Sequence, residues 1–297
     1  MRDLMMNDKI MNDSLSMTLP DGRQLGYAEY GDLTGKPIFY FHGFPGSRLE
    51  AGHLQKIALS HHYRLIGIDR PGMGISSVES KRSILSWAED VETFADFLGI
   101  NKFSIVGHSG GAPFVAACAY KIPYRLHGAA IVSGIAPFEI SEATASLARG
   151  NRFINGAIRT MPWIAKGLMK LSLTMFKKPW MLKQALKQMP DVDRLIVRSL
   201  GSNETISAVL SEPFKHGVVG AAQEFQLIVR PWEFDLANIK CPVTIWQGGL
   251  DKQVPLAHAK LYTKLIPNAK FIFLKQEGHL SLLVNHGDEI LHSVCED

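Results

Sequence analysis

The 297-residue chain has few cysteines and no long apolar run. Its three cysteines, Cys118, Cys241 and Cys295, are too few and too scattered to form a disulfide framework or a zinc site. No stretch approaches the roughly 18 apolar residues that a membrane span requires, and residues 1–13 lack the apolar region of a secretory signal. We therefore expect a cytoplasmic protein with a flexible leader over residues 1–13 and no metal site.

Acidic residues are absent from one long segment. Residues 143–190, which we call the basic segment, contain nine bases and no Asp or Glu, whereas the rest of the chain has 23 bases against 28 acids. The net charge of +4 therefore originates in this segment. The nine bases are Arg149, Arg152, Arg159, Lys166, Lys170, Lys177, Lys178, Lys183 and Lys187. No nucleic-acid-binding motif accompanies them, so we do not expect a nucleic-acid partner.

The sequence does contain a motif typical of a nucleophilic serine. Gly107-His108-Ser109-Gly110-Gly111 lies between the apolar stretch 103–106, which predicts a strand, and the alanine-rich stretch 112–121, which predicts a helix. A sharp turn here would lift the Ser109 hydroxyl above the sheet, because glycines two residues before and after leave room for the chain to close. The alternative is an ordinary Gly-Ser loop.

Candidate partners for Ser109 follow two later strand patterns. Asp251 follows the apolar stretch 242–247, and His279 follows the apolar stretch 271–274. A serine hydroxyl needs a base, and a histidine base needs an acid that fixes its tautomer. Taken singly, Asp251 could be a turn former and His279 a surface residue. Together they complete the chain order serine, aspartate, histidine.

A second loop supplies a candidate oxyanion hole. His42-Gly43-Phe44-Pro45-Gly46-Ser47 follows the strand pattern at 37–41. We expect the amides of Phe44 and Gly110 to be the two donors, because an oxyanion hole needs one amide after the nucleophile and one from an earlier loop. A plain Gly/Pro turn would account for the glycines of this loop but not for its position.

Apolar periodicity divides the chain into a core and an insertion. Over residues 14–136, an opening hairpin with an Asp21-Gly22 turn precedes alternating strand and helix patterns, and these return over residues 233–297. Alternation of this kind predicts a parallel sheet with helices on both faces. Residues 137–232 instead show amphipathic helical patterns broken by prolines. We interpret them as a helical cap inserted into the core.

These segments, together with Asp69-Arg70-Pro71-Gly72-Met73-Gly74, resemble the successive signature segments of the α/β-hydrolase superfamily. More narrowly, they resemble its capped esterase-like, prolyl-iminopeptidase-like and carbon–carbon-bond hydrolases. The resemblance extends from Leu15 to Val294, except for the middle third, and implies a doubly wound, mostly parallel, eight-stranded sheet without a cofactor. Haloalkane dehalogenases and epoxide hydrolases of this superfamily use an aspartate where this chain has Ser109, so the resemblance implies neither activity.

The expected activity is hydrolysis of a small-molecule ester through an acyl-enzyme. Ser109 is the candidate nucleophile, His279 its base and Asp251 the acid that orients His279. Prolyl-iminopeptidase-like or carbon–carbon-bond hydrolysis is the alternative. An aminopeptidase needs a carboxylate that holds the substrate amine, and the candidates are Glu204, Glu212, Glu224 and Glu233. A slow-turnover ligand receptor on the same fold also remains open.

The basic segment has three open interpretations. Its helices could form a lid whose lysines are solvated, or an apolar pocket whose positive rim attracts anionic substrates. They could also contact an anionic membrane surface peripherally, as basic amphipathic helices do.

Overall fold

The computed structural model of the chain describes residues 12–295, in which eight strands form a single sheet. The strands are β1 (Asn12–Thr18), β2 (Gln24–Gly31), β3 (Lys36–Phe41), β4 (Tyr63–Ile68), β5 (Phe103–His108), β6 (Leu126–Val132), β7 (Val243–Gly248) and β8 (Ala269–Leu274). Their order across the sheet is β1-β2-β4-β3-β5-β6-β7-β8. Strand β2 is antiparallel to both neighbours, and the other pairs are parallel. The predicted eight-stranded, mostly parallel sheet is confirmed.

The described residues also form thirteen α-helices and five 3-10 helices. The α-helices are α1 (Gln55–Ser60), α2 (Trp87–Phe97), α3 (Ala112–Lys121), α4 (Ser141–Ser146), α5 (Arg149–Thr160), α6 (Pro162–Lys177), α7 (Pro179–Lys187), α8 (Asp191–Ser199), α9 (Asn203–Ser211), α10 (Val219–Val229), α11 (Leu256–Leu265), α12 (His279–Asn285) and α13 (Gly287–His292). The 3-10 helices are Arg48–Leu54, Ser109–Gly111, Pro123–Arg125, Glu212–Phe214 and Leu236–Asn238.

The central strands are largely buried because helices cover both faces of the sheet. Every residue of β5 is buried, and successive residues of a strand point to opposite faces. Phe39 therefore packs into one apolar cluster, where its ring stacks on Phe103 at 4.3 Å between centroids. Its neighbour Tyr40 belongs to the cluster on the other face, with Val106 and Leu282. This two-sided core holds the carboxyl ends of the strands in fixed positions.

The amino-terminal hairpin begins earlier than expected. Strand β1 starts at Asn12, so residues 12 and 13, assigned to the leader by sequence, belong to the sheet. The rest of the expected leader lies outside the described residues. Gly22 occupies the predicted Asp21-Gly22 turn with φ of 87°, a conformation that favours glycine.

Helices α4 to α10 lie between β6 and β7, over the span in which the sequence predicts a helical insertion. The described residues of this span contain no strand. The boundaries of a separate cap at residues 137 and 232 stay a prediction. We call residues 191–232, which follow the basic segment, the anchoring segment, because its carboxylates reach into the core.

One anchor is a buried ion cluster. Glu224 of α10 pairs with Arg70 at 2.6 Å and with Arg82 at 2.9 Å, and the Glu224 and Arg70 side chains have no exposed surface. Burial would raise the pKa of the Glu224 carboxyl, but the two guanidinium groups lower it to about 2. Arg70 in turn donates to the carbonyl oxygens of His42 and Gly43, at 2.6 and 3.0 Å. The cluster therefore joins α10 to the loop after β3.

A second anchor is centred on Arg48. Its guanidinium contacts Asp69 Oδ2 at 2.9 Å and Glu212 Oε1, from the anchoring segment, at 2.8 Å. It also donates to the Asp13 carbonyl oxygen at 2.6 Å and to Ser14 Oγ at 3.3 Å, both in β1. One side chain thus links the first strand, the loop after β4 and the insertion.

Candidate active site

The Gly107–Gly111 motif forms a tight turn between β5 and α3. Ser109 has a φ of 52°, a left-handed conformation that costs energy for a residue with a side chain. A Cβ at Gly107 would lie 2.5 Å from Val115 Cγ2, and one at Gly111 would lie 2.2 Å from the Phe41 carbonyl oxygen. The two glycines are therefore required by close packing, as the motif predicts. The turn carries Ser109 to the carboxyl end of the sheet.

The candidate base and acid are in direct contact. Asp251 lies on the loop after β7, and its Oδ2 is 2.8 Å from Nδ1 of His279, the first residue of α12. Asp251 Oδ1 accepts the amides of Gln253 and Val254 at 2.8 and 2.9 Å. Burial would raise the pKa of the Asp251 carboxyl, but His279 and these amides lower it. An ionised Asp251 fixes Nδ1 of His279 as a donor and leaves Nε2 as the base.

A second carboxylate, which no sequence motif indicates, holds His279 in place. Asp193 of α8 accepts the backbone amide of His279 at 3.0 Å, and those of Leu280 and Ser281 at 2.9 Å each. The Asp193 side chain is fully buried. A Cβ on Gly278 would lie 2.4 Å from Asp193 Oδ1, which explains the glycine before His279. The anchoring segment therefore caps the helix that carries the candidate base.

Ser109 and His279 open onto one large cavity of about 490 Å³, which lies within the roughly 300–1,000 Å³ typical of small-molecule sites. Helices α6 to α9 and the short connections between them supply most of its apolar lining. These residues are Phe176, Leu182, Leu186, Met189, Ile196, Val197, Leu200, Ile206, Val209 and Leu210. An apolar organic group bound among them would have its reacting bond beside Ser109.

The predicted oxyanion loop lines the same cavity. A Cβ built on Gly110 would lie 3.1 Å from the Phe44 amide nitrogen, so the two candidate donors are neighbours. Among the described residues the Phe44 amide has no acceptor, whereas the Gly43 amide donates to Glu50 Oε2 at 2.9 Å. His42 stabilises this loop through two hydrogen bonds. Its Nδ1 donates to the Gly43 carbonyl oxygen at 2.8 Å, while its Nε2 accepts the Arg70 amide at 3.3 Å.

The neutral state of His42 follows from this arrangement. A ring nitrogen that accepts a hydrogen bond carries no proton. Burial, together with the nearby Arg70 charge, lowers the pKa of His42 to about 3. His42 is thus a neutral support for the loop, with no proton to exchange at neutral pH.

His108 forms a buried ion pair that the motif alone did not reveal. Its Nδ1 lies 2.7 Å from Glu50 Oε1, and its Nε2 lies 3.1 Å from the carbonyl oxygen of His279. Both partners only accept hydrogen bonds, so both ring nitrogens must donate and His108 is an imidazolium. Burial would lower the pKa of His108, but Glu50 raises it above its ordinary value. A fixed positive charge therefore lies beside Ser109.

Several residues singled out in the sequence do not reach the cavity. Among the described residues, none of the nine bases of the basic segment lines it, nor do Glu204, Glu212, Glu224 and Glu233. Glu224 and Glu212 are held instead by Arg70, Arg82 and Arg48. Lys252 is the lysine that lines the cavity in the described part of the chain, and a positive rim around the cavity stays a prediction.

Within residues 12–295, no group of three or more histidine, cysteine, aspartate or glutamate side chains could hold a metal ion. Cys118 and Cys241 are free thiols. No described helix combines the length and the apolar character needed to cross a bilayer.

The fold and the match to a family model agree on the class of protein. Residues 36–153 match the family model described as alpha/beta hydrolase fold. That span contains the oxyanion loop and the Ser109 turn. The chain therefore has the α/β-hydrolase fold.

Individual relatives are distant. A non-heme chloroperoxidase from Streptomyces lividans is 30% identical over 131 residues, which are 43% of this chain and 48% of the relative, so the chain spans about half the length of that protein. A proline iminopeptidase from Lactobacillus delbrueckii subsp. bulgaricus is 22% identical over 280 residues, covering 88% of this chain and 90% of the relative. An esterase from Exiguobacterium antarcticum has a similar structure, with a TM-score of 0.70 at 15% identity, and 94% of this chain and 97% of that chain are covered.

Proposed function

We propose that the protein is a serine hydrolase that cleaves a small-molecule carboxylic ester. The proposal depends chiefly on the contact of 2.8 Å between Asp251 and His279, with His279 and Ser109 lining one cavity. The strained Ser109 turn and the adjacent Phe44 amide support it. The relatives named above include an esterase and a peptidase, so the superfamily accommodates acyl transfer to water.

The proposed reaction has two halves. Ser109 Oγ attacks the ester carbonyl carbon while His279 Nε2 takes its proton, and the carbonyl oxygen becomes an oxyanion held by the Phe44 and Gly110 amides. His279 then gives the proton to the leaving alcohol as the acyl–oxygen bond breaks. Water attacks the acyl-enzyme in the same way, with its proton passing through His279 to Ser109, and the carboxylic acid is released.

The lining of the cavity favours an ester with an apolar acyl or alcohol group. Helices α6 to α9 contribute almost entirely aliphatic and aromatic side chains, and the ion pair of Glu50 and His108 is internally neutral. We infer that residues 137–232 act as the cap that encloses this group.

The lining also argues against an aminopeptidase. A substrate ammonium group would need a free carboxylate, and the four candidate glutamates of the insertion do not line the cavity. Glu50 does line it, but its oxygens are occupied by Tyr40, the Gly43 amide and His108. We therefore rank ester hydrolysis before prolyl-peptide hydrolysis.

The test is the turnover of p-nitrophenyl esters of increasing acyl length and of prolyl p-nitroanilide by wild type and Ser109→Ala. We expect repeated turnover of esters by wild type, and a loss in kcat of at least about 1,000-fold in the variant. Ser199→Ala is the matched control, because Ser199 is exposed, does not line the cavity and has no proposed role. A fluorophosphonate probe should label wild type and Ser199→Ala but not Ser109→Ala.

Three outcomes would contradict the proposal. Equal ester hydrolysis by Ser109→Ala and wild type would remove Ser109 as the nucleophile. Faster turnover of prolyl p-nitroanilide than of every ester would favour the peptidase. A single slow event per molecule, accompanied by a large thermal shift, would favour a ligand receptor.

A further inference from the structure

The basic segment exposes large apolar side chains that a water-facing helix normally lacks. Phe153 is 78% exposed, Trp163 70% and Trp180 66%, with Leu171 at 57%. The other three tryptophans of the chain, Trp87, Trp232 and Trp246, are buried. The two exposed tryptophans therefore both lie on the insertion, on neighbouring helices α6 and α7, which pack against each other.

The bases of the segment surround these side chains. All nine are exposed, and none forms a salt bridge with a residue in the described part of the chain. With no acid between residues 143 and 190, no nearby negative charge within the segment offsets them. The surface is consequently both strongly positive and apolar.

Helix α6 shows how the two properties share one face. Trp163, Lys166, Lys170 and Lys177 follow one another at intervals of three, four and seven residues, so they project from one side of the helix. All four are exposed, whereas Ala165 and Met169, which lie off this face, are buried. Helix α5 repeats the pattern with Arg149, Arg152, Phe153 and Arg159 exposed. The outer face of the segment therefore combines exposed aromatic rings with cationic side chains.

We propose that this outer face docks on a membrane that contains anionic lipids. Tryptophan and phenylalanine insert at the lipid headgroup boundary, and lysine and arginine extend their charges to the anionic headgroups. Each base close to such a surface strengthens binding about fivefold. A nucleic acid would satisfy the charge, but it would give isolated, widely spaced aromatic side chains no apolar layer to enter.

The inner sides of helices α6 and α7 face the cavity. Phe176, Leu182 and Leu186 of α6 and α7 line the cavity, while the other faces of these helices carry the exposed tryptophans. The apolar binding space is thus separated from the docking face by a single layer of helices. We infer that the substrate is a lipophilic ester taken from the membrane, and this second step rests on the proposed hydrolase function.

Docking is tested with Ser109→Ala, because this variant keeps the surface and destroys no lipid. Sedimentation with phosphatidylglycerol-containing vesicles should remove the protein from solution, whereas pure phosphatidylcholine vesicles should leave most of it free. High salt should weaken the binding to the anionic vesicles, since the attraction between charges at a surface is screened.

Two variants of the face, each with a matched control, separate charge from aromatic insertion. Lys166→Gln, Lys170→Gln, Lys177→Gln and Lys178→Gln together should weaken binding about 600-fold. The control is Lys102→Gln, Lys240→Gln, Lys260→Gln and Lys270→Gln, which removes the same charge from exposed positions outside the insertion. Trp163→Ser with Trp180→Ser should weaken binding about 10-fold, and Leu59→Ser with Phe97→Ser, at 49% and 57% exposure, is the control.

Several outcomes would overturn the docking proposal. These are no binding to anionic vesicles, equal binding to both vesicle types, or equal losses in the face variants and their controls. Binding to duplex DNA without binding to vesicles would assign the face to nucleic acid. Esterase activity on soluble substrates would survive all of these results, so failure of docking is distinguishable from failure of the hydrolase proposal.

The substrate step has its own measurement. Wild type should hydrolyse a long-chain p-nitrophenyl ester faster when it is dispersed in anionic vesicles than in phosphatidylcholine vesicles, and the four-lysine variant should lose that preference. Its rate on p-nitrophenyl acetate in solution should stay unchanged. A four-lysine variant that retains the vesicle preference would refute delivery from the membrane.

Discussion

The two parts of the helical insertion differ in where their charges lie. The basic segment, residues 143–190, carries nine bases that are all exposed. In the anchoring segment, residues 191–232, Asp193 and Glu224 are fully buried and bound to the core, and Glu212 pairs with a buried arginine. The two parts of the insertion therefore differ in their contacts with the core. Its second part is fixed to the core by carboxylates, and its first part is free to present a surface.

The strongest test of this difference is the buried Glu224 cluster. Glu224→Gln leaves the charges of Arg70 and Arg82 without a carboxylate in the interior, and breaking such a pair costs about 3–5 kcal/mol. We expect that loss in the free energy of unfolding, measured by urea denaturation. Lys170→Gln, in the basic segment, should change it by less than about 0.5 kcal/mol. Similar losses in the two variants would show that the two segments do not differ in anchoring.

Asp193 tests whether the anchoring segment also positions the candidate base. Asp193→Ala removes the acceptor for three amides at the start of α12, and loss of a helix cap costs about 1 kcal/mol of stability. Because small displacements of a catalytic group are costly, we expect kcat to fall by about 10- to 100-fold with a smaller change in KM.

Asp193→Asn is the matched comparison, because the asparagine oxygen can still accept one or two of the three amides. It should recover part of the lost kcat. If Asp193→Ala loses stability but keeps the kcat of wild type, Asp193 is only a helix cap.

The pair of Glu50 and His108 sharpens the comparison, because it is a buried charge pair made by the core alone. Its effect on the free energy of unfolding should depend on pH. The pKa of His108 is raised in the folded protein above the ordinary value of 6.5, so its stabilising contribution is present below pH 6.5. The contribution is lost as the pH rises through the higher pKa of the folded state.

Urea denaturation of wild type and His108→Gln at pH values below and above 6.5 gives the measurement. The difference in their free energies of unfolding should shrink as the pH rises. His127→Gln, at an exposed position on β6, should show no such trend. A difference that grows with pH would mean that His108 is neutral in the folded protein.

The sequence was sufficient for the sheet because its strands are buried on both faces. Strands such as Tyr63–Ile68 and Phe103–His108 are mostly apolar, and glycine-containing loops follow them. Each candidate functional loop follows a strand of this kind. The positions of Ser109, Asp251 and His279 at the carboxyl ends of strands therefore followed from local pattern alone. Their catalytic roles stay predictions until the variants are measured.

Contacts between residues that are far apart in the chain could not be predicted from the sequence. Asp193 reaches the His279 amide 86 residues away, and Glu50 reaches His108 58 residues away. Neither carboxylate belongs to a motif, since its partners are brought to it only by tertiary packing. The orientation of the nine bases is a related case. Composition located them on the insertion, but helical phase places them on its exposed surface and not in the cavity lining.

Arg48 links the first strand of the sheet to the helical insertion. Its guanidinium holds the Asp13 carbonyl oxygen and Ser14 Oγ together with Glu212. An affinity tag or a truncation that displaces the first strand would therefore remove two of the acceptors that orient this arginine. The disturbance would pass through Arg48 to Glu212 of the insertion.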